Sequence, residues 1–271
     1  MVEARSIADA AAAIQRATSL LIGAGAGIGV DSGLPDFRGN NGFWKAYPAL
    51  HGYPFSAMAN PDWFTKDPSR AWGFYGHRLN LYRETTPHNG FNILRNLAVN
   101  KNTFVYTSNV DGQFQKAGFS AEQICECHGS IHWLQHLFPS TSGTEIWSAN
   151  HTEVNVDTSQ VRAVGDLPSR NGQLVRPNIL MFGDYYWLAE RTDQQYDNMQ
   201  KWYQQVEPSK LVIIEIGAGT AVPSVRNRSQ FFQQAGATLV RINPREPQGA
   251  DIQLACGAKE ALEAIEKILT Q

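Results

Sequence analysis

Short apolar runs recur along this chain, each closed by glycine or by a polar loop: Ser19–Ile22, Thr103–Thr107, Gln123–Cys127, Leu211–Ile216 and Thr238–Ile242. Each is rich in aliphatic or β-branched residues and too short for a buried helix, the pattern of strands covered on both faces. Between them lie stretches with helical spacing of apolar positions: residues 6–18 with Ile7 and Ile14, Gly90–Ala98, Arg191–Gln205 and Lys259–Leu269. Strands alternating with helices predict an α/β fold, a doubly wound, Rossmann-like parallel sheet. Two stretches break the rhythm. Residues 39–85 are dense in aromatics (Phe43, Trp44, Trp63, Phe64, Trp72, Phe74, Tyr75) and carry four prolines, while residues 130–175 are polar and irregular. They are expected to form a smaller helical and irregular module inserted into a larger part made of residues 1–38, 86–129 and 176–271, all one unit.

The 271 residues suffice for that arrangement, and 42% hydrophobic with 18% charged residues is ordinary for a soluble globular protein. A formal net charge of -2 supplies no bulk field to recruit nucleic acid or an anionic membrane. The apolar N-terminal tract is interrupted by Arg16 and has no basic leader, so it is not read as a secretory signal. Three cysteines, Cys125, Cys127 and Cys256, cannot all pair within the chain and form no C-x-x-C. Free thiols in a reducing, cytoplasmic compartment are the expectation.

Candidate chemistry begins at the end of the first strand. Glycines at 23, 25, 27 and 29 allow backbone to approach a pyrophosphate, with amide N–H groups aimed at its oxygens. A strict G-x-G-x-x-G is not present, and a tight strand-to-helix turn would need glycine on steric grounds alone. Asp36, Phe37 and Arg38 follow within Leu34–Gly39. A guanidinium can bind phosphate bidentately and a phenyl ring can shield a reacting ribose from water; a proline turn with a surface ion pair is the plainer reading. Thr107-Ser108-Asn109-Val110-Asp111 closes the second strand, at the sheet end where ligands gather in open α/β folds. Asn109 and Asp111 could bond a ribose and a carboxamide from one side, although Asn and Asp also favour turns. His128, in Glu126-Cys127-His128-Gly129-Ser130, ends the third strand; an imidazole of pKa near 6.5 suits proton removal at neutral pH. A lone histidine is more often structural.

Together these motifs resemble the sirtuin signature. The Gly23-Ala24-Gly25 turn leading to Pro35-Asp36-Phe37-Arg38, then Gly42-Phe43-Trp44, is similar to that family's glycine-alanine-glycine turn and proline-aspartate-phenylalanine-arginine run. Thr107–Asp111 resembles its threonine-glutamine-asparagine-isoleucine-aspartate motif, with Ser108 in place of the glutamine, and His128-Gly129 follows Asp111 at a similar distance. The resemblance implies NAD as cofactor, Asn109 on the nicotinamide ribose, Asp111 on the nicotinamide amide and His128 as base. It extends to Gly217-Ala218-Gly219 as a cofactor-facing turn, Asn243 on the adenosine ribose and Cys256 near the adenine, the last equally well a small core residue. Arg176–Asp184, with Phe182 and Gly183, looks like the segment beside which an acylated-lysine peptide pairs as an added strand. Tyr75 and Arg78, three apart on a predicted helix, match the acyl pocket of sirtuins that prefer acidic acyl groups; an aromatic core residue beside a solvated Arg is the alternative.

Two departures stand out. The paired C-x-x-C motifs that hold zinc in most of the family are missing; His132, His136 and His151 could stand in as ligands, but His132 and His136 flank Trp133 and read equally well as helix-face residues. No metal is expected. The family's proline-asparagine-x-x-histidine is also broken: His88 and Asn89 follow Pro87, and Phe91 takes the histidine position. The resemblance implies an NAD-dependent protein lysine deacylase, of deacetylase or desuccinylase type, releasing nicotinamide and O-acyl-ADP-ribose. NAD hydrolysis or ADP-ribosyl transfer at the same site is the runner-up; a non-catalytic nucleotide sensor would have lost His128 or the Asn109–Asp111 pair.

Overall fold

The computed structural model describes residues 4–36, 39–139 and 143–271, with the side chains of residues 39–41 left aside. Its strands, in chain order, are β1 (Ser19–Ala24), β2 (Asn102–Thr107), β3 (Ile124–Glu126), β4 (Gly129–His136), β5 (Ile146–Ser148), β6 (Asn155–Asp157), β7 (Arg162–Val164), β8 (Ser169–Arg170), β9 (Gln173–Ile179), β10 (Leu211–Ile216), β11 (Thr238–Ile242) and β12 (Ile252–Leu254). Six of them form one sheet in the order β12-β11-β10-β1-β2-β3, every pairing parallel. This is a doubly wound order that reverses between β1 and β10, the place where such sheets open a ligand crevice. All five predicted strands are present. The sixth, β12, is three residues long, only partly buried, and carries no apolar run.

Alternation along β1 shows why both faces are apolar. Leu20 and Ile22 pack with Ile7, Ile14, Phe91, Leu262 and Ile265 from the helices Ala4–Arg16, Asn89–Ala98 and Ala258–Leu269. Leu21 points the other way, to Phe104, Ile213, Met199, Trp202 and Phe232, covered by the helices Glu190–Tyr203 and Ser224–Gln234. A charged pair sits inside this sheet: Glu215 and Arg241 are register partners on β10 and β11, fully buried, and bonded at 2.5 and 3.1 Å. Phe91, at the position where the family motif has histidine, is core; its ring meets Phe114 and His88, each at 5.1 Å.

The aromatic stretch builds its own core, in which Phe43, Tyr47, Phe64, Trp72, Phe74 and Tyr75 are buried together. Residues 129–179 are more regular than their composition suggests. They form an antiparallel sheet, β5-β4-β9-β8, and a β6–β7 hairpin. β9 pairs with β4, so residues 176–179 lie in this second sheet rather than with the parallel strands. His132 and His136 are therefore strand residues, not helix-face ones. Short strands of mixed polarity carry little period-2 signal, because the facing helix rather than alternation decides what is buried.

That facing helix, Pro68–Glu84, clasps the segment along its length. Arg162 grips Asp67 through both guanidinium nitrogens at 2.9 and 2.8 Å, and Trp72 Nε1 donates to Val175 O at 3.1 Å. Asn80 Nδ2 donates to Val154 O at 2.9 Å, and Arg83 Nη1 to Thr152 O at 2.7 Å. Two glycines permit the approach: a Cβ on Gly73 would lie 2.2 Å from Val161 O, and one on Gly76 would lie 2.5 Å from Val154 Cγ1. Gly73→Ala should thus push helix and hairpin apart and lower stability by about 1–3 kcal/mol. Urea unfolding checks this; an unchanged midpoint would show that the clasp is looser than described.

Candidate active site

A cavity of about 600 Å³ opens where the sheet order reverses, between the C-terminal ends of β1, β2 and β10 and the aromatic module. From the parallel sheet it is lined by Gly25, Ser108, Asn109, Asp111, His128, Gly217 and Gly219, with Asp36 beside the first turn. From the other side come Phe55, Tyr75, Arg78, Tyr82 and the segment Ile179–Phe182. Residues distant in sequence and singled out for their chemistry thus share one wall. Phe37 and Arg38 lie outside the described residues.

The glycines have a first duty to each other. Gly25 N bonds Ile216 O at 2.9 Å and Gly27 N bonds Gly217 O at 3.1 Å, locking the turns after β1 and β10 together. A Cβ on Gly25 would lie 2.7 Å from the Ala218 Cα; Gly217 has φ 61° and a Cβ there would lie 2.5 Å from Gly27. The steric reading of these glycines is correct, and it brings two backbone turns side by side at the cavity floor. Gly23 and Ala24 lie within β1 and do not line the cavity. Gly23 instead permits close packing against Val225, 3.1 Å from where its Cβ would be.

Asn109 is held from two sides: its N–H bonds Thr107 Oγ1 at 3.0 Å and its Nδ2 donates to Gly25 O at 3.1 Å. A second amide hydrogen and the amide oxygen remain for a ligand. Asp111 is buried and accepts from Gln113 N at 3.0 Å. Burial, aided by the neighbouring Glu126 charge, raises its pKa to about 6, against the pull of the Gln113 N–H and Arg78. Behind it, His132 Nε2 bonds Asp111 O at 3.0 Å and Ile131 N bonds Val110 O at 3.0 Å, so β4 braces this loop.

His128 follows β3 directly, and Gly129 at φ 76° turns the chain into β4; a Cβ there would lie 2.1 Å from Asn178 O. The His-Gly pair thus has a structural reason: only glycine lets β9 cross so close to the base. Burial holds the His128 pKa below its ordinary value, opposed by a bond to the Ser108 backbone. Its Nε2 lies 3.0 Å from Ser224 Oγ.

Tyr75 and Arg78 share a face of the Pro68–Glu84 helix, as their spacing predicts, and both are buried at the cavity wall. Among the described residues the Tyr75 hydroxyl has no hydrogen-bond partner. The Arg78 guanidinium lies among the rings of Phe74, Tyr75 and Tyr82, 5.2–5.6 Å from their centroids, and its Nε donates to Tyr82 Oη at 3.0 Å. Tyr82 was overlooked in the sequence, although its position four residues after Arg78 could have drawn notice.

Several expected ligand residues are not brought to this wall. Ala218, Gly183, Asn243 and Cys256 do not line the cavity. Asn243 is fully buried; its Nδ2 donates to Ala218 O at 2.9 Å, and its Oδ1 accepts from Arg245 N and Glu246 N, both at 3.0 Å. It fastens the turn that carries Gly217 and Gly219. Cys256 packs in the core beside Ala258 and Leu262, its plainer reading. Phe182 is half-exposed at the cavity rim, while Gly183, at φ 68°, makes the turn beyond it. That turn is pinned by Asp184, whose carboxylate takes both Arg176 nitrogens at 2.7 and 2.9 Å and accepts from Met181 N and Tyr186 N, both at 3.2 Å.

A model described as "Sir2 family" matches residues 25–223. The chain belongs to the Sir2 family. Among similar proteins, an "NAD-dependent protein deacetylase" of Saccharolobus solfataricus is 29% identical over 227 residues, 82% of this chain and 79% of its own. An "NAD-dependent protein deacylase" of Thermococcus kodakarensis is 32% identical over 201 residues, 69% of this chain and 72% of its own. A solved structure described as a Sir2 homolog–NAD complex has the same fold, with TM-score 0.70 and 23% identity over 97% of this chain and 94% of that one.

Among the described residues no group of three or more His, Cys, Asp and Glu could hold a metal ion. His132 bonds the Asp111 carbonyl and buried His136 packs against Trp147, ring centroids 5.1 Å apart. Among the described residues no helix is long and apolar enough to cross a membrane.

Proposed function

We propose that this Sir2-family chain is an NAD-dependent protein lysine deacylase acting in the cavity at the β1–β10 crossing. The observation that carries the reading is the convergence of Asn109, Asp111, His128 and the paired glycine turns on one wall, opposite an apolar slot. The site fits a dinucleotide. Two backbone turns meet at the C-terminal strand ends, and a buried carboxylate, costly to leave without a ligand, faces the cavity. The names of the Saccharolobus and Thermococcus relatives support the same activity.

NAD, when bound, would supply a ribose carbon at which the acyl oxygen of the modified lysine displaces nicotinamide, and a ribose hydroxyl to receive the acyl group. The chain's residues divide the remaining work. Asp111 accepts from the nicotinamide carboxamide and Asn109 bonds the ribose. His128, whose pKa burial holds below its ordinary value, takes a proton from a ribose hydroxyl. Asp36 lines the cavity at the first turn, while the roles the family resemblance implies for Phe37 and Arg38, water exclusion among them, fall outside the described residues. One water then enters to release the free lysine, so that lysine, nicotinamide and O-acyl-ADP-ribose would be the products. The peptide lies along the Ile179–Gly183 segment, where Phe182 is half-exposed. Tyr75 and Arg78 receive the acyl chain's far end, and the unpartnered Tyr75 hydroxyl together with the guanidinium suits a carboxylate. Succinyl-lysine is then a good substrate beside acetyl-lysine. Three buried, free cysteines suit a reducing cytoplasm.

NAD hydrolysis or ADP-ribosyl transfer is the competing use of this cavity, favoured by Ser108 lining it where the family has glutamine. Measuring nicotinamide release with and without acetyl- or succinyl-lysine peptide separates the two. Release that depends on the peptide supports deacylation, and release indifferent to it sinks deacylation.

A further inference from the structure

We infer that His88 is a positioning residue for the cofactor turn. One neutral tautomer of its ring ties the start of the Asn89–Ala98 helix to the Ala26–Ser32 turn, and through that turn to Asn109. The inference rests on the reading that the β1–β10 cavity binds NAD, and not on the role given to His128. Both ring nitrogens of His88 face backbone groups, whose own roles are fixed. Gly90 N, 3.0 Å from Nδ1, can only donate, so Nδ1 keeps its lone pair. Ile28 O, 3.0 Å from Nε2, can only accept, so Nε2 carries the hydrogen. The two bonds together define one neutral imidazole. Burial lowers the His88 pKa, which favours that uncharged ring.

The histidine grips the turn at two points, since its backbone N–H also donates to Ser32 Oγ at 2.9 Å. Gly90 makes room for the ring: a Cβ there would lie 2.5 Å from His88 Cε1. From Ile28 the hydrogen bonds run on into the cavity. Ile28 N donates to Gly25 O at 3.1 Å, and Asn109 Nδ2 donates to the same oxygen at 3.1 Å. Gly25, Ala26 and Asn109 line the cavity, and His88 does not. His88 therefore acts on a bound dinucleotide through Ile28, whose carbonyl meets the ring and whose N–H meets the Gly25 carbonyl. The Gly25 oxygen is the point at which this chain of bonds and the ribose-binding Asn109 come together.

Asparagine and glutamine each keep half of this bridge. Asn sets its amide oxygen where Nδ1 sits and caps the helix well, but stops short of Ile28. Gln carries its amide nitrogen out to the Nε2 position and gives up the cap. The test measures the Kd for NAD by calorimetry and the thermal midpoint in wild type, His88→Asn and His88→Gln. His88→Asn should melt close to wild type yet bind NAD about fivefold more weakly, the loss of one ordinary hydrogen bond behind the turn. His88→Gln should bind NAD as wild type does while melting about 3 °C lower. The inference is overturned if His88→Asn binds NAD like wild type, if it melts no higher than His88→Gln, or if both variants bind equally weakly. The wild-type ring offers a check that needs no variant: ¹⁵N NMR should find the His88 hydrogen on Nε2, and a hydrogen on Nδ1 would also overturn the inference. Wild type that binds no NAD would remove the cofactor reading itself, so the two failures are told apart.

Discussion

Replacing His128 by alanine is expected to lower deacylation by about 10²–10⁴-fold, the usual contribution of a positioned general base. The ring nitrogen Nε2 lies 3.0 Å from Ser224 Oγ. Nicotinamide exchange, which precedes proton removal, should survive better than product formation. In the wild type the acid limb of kcat/KM should follow Asp111. As pH falls through about 6 its carboxylate takes up a proton and loses its role as acceptor for the carboxamide. Burial moves the His128 pKa downward and raises that of Asp111. Asp111→Asn should accordingly lose affinity for the nicotinamide end together with the limb near pH 6. Steady-state rates across pH 5–8 check both, and a limb unchanged in Asp111→Asn would assign it elsewhere.

The second large effect is structural. Arg176 and Asp184 are fully buried and bidentate, and every oxygen lone-pair direction of the carboxylate is used, since Met181 N and Tyr186 N also donate to it. Asp184→Ala leaves the guanidinium buried without its counter-charge, at a cost of about 3–5 kcal/mol. It also frees the turn carrying Phe182, so KM for peptide should rise more than KM for NAD. Removing both charges, Arg176→Met with Asp184→Ala, should recover much of the stability but not the peptide affinity. Denaturant melts and the two KM values decide this; a single mutant as stable as wild type would show that the pair is dispensable.

How much of this was legible beforehand depends on range. The five predicted parallel strands were readable because burial on both faces makes each a buried run, visible without any partner. β12, as short as β3 but only partly buried, carried no apolar run, and β4 to β9 were obscured because the Pro68–Glu84 helix, not their own alternation, decides what they bury. Asn109, Asp111 and His128 were legible because each falls at a strand end, and a parallel sheet gathers its strand ends on one side. Tyr75 and Arg78 were legible from helical spacing. Asn243 and Cys256 were assigned by likeness alone; here one fastens a turn and the other packs in the core. Ser224 gave no local signal, since a serine after proline at a helix start reads as an ordinary N-terminus, and only the folded chain brings it to the His128 ring.

The central claim, that this cavity couples loss of nicotinamide to removal of an acyl group from lysine, is tested most directly by the mass balance of one reaction. NAD and an acetyl- or succinyl-lysine peptide are incubated with the protein, and products are quantified by mass spectrometry. The account predicts nicotinamide, deacylated peptide and O-acyl-ADP-ribose in equal amounts, and little nicotinamide when the peptide is left out. Free ADP-ribose accumulating at the same rate with or without peptide, while the lysine keeps its acyl group, would contradict it.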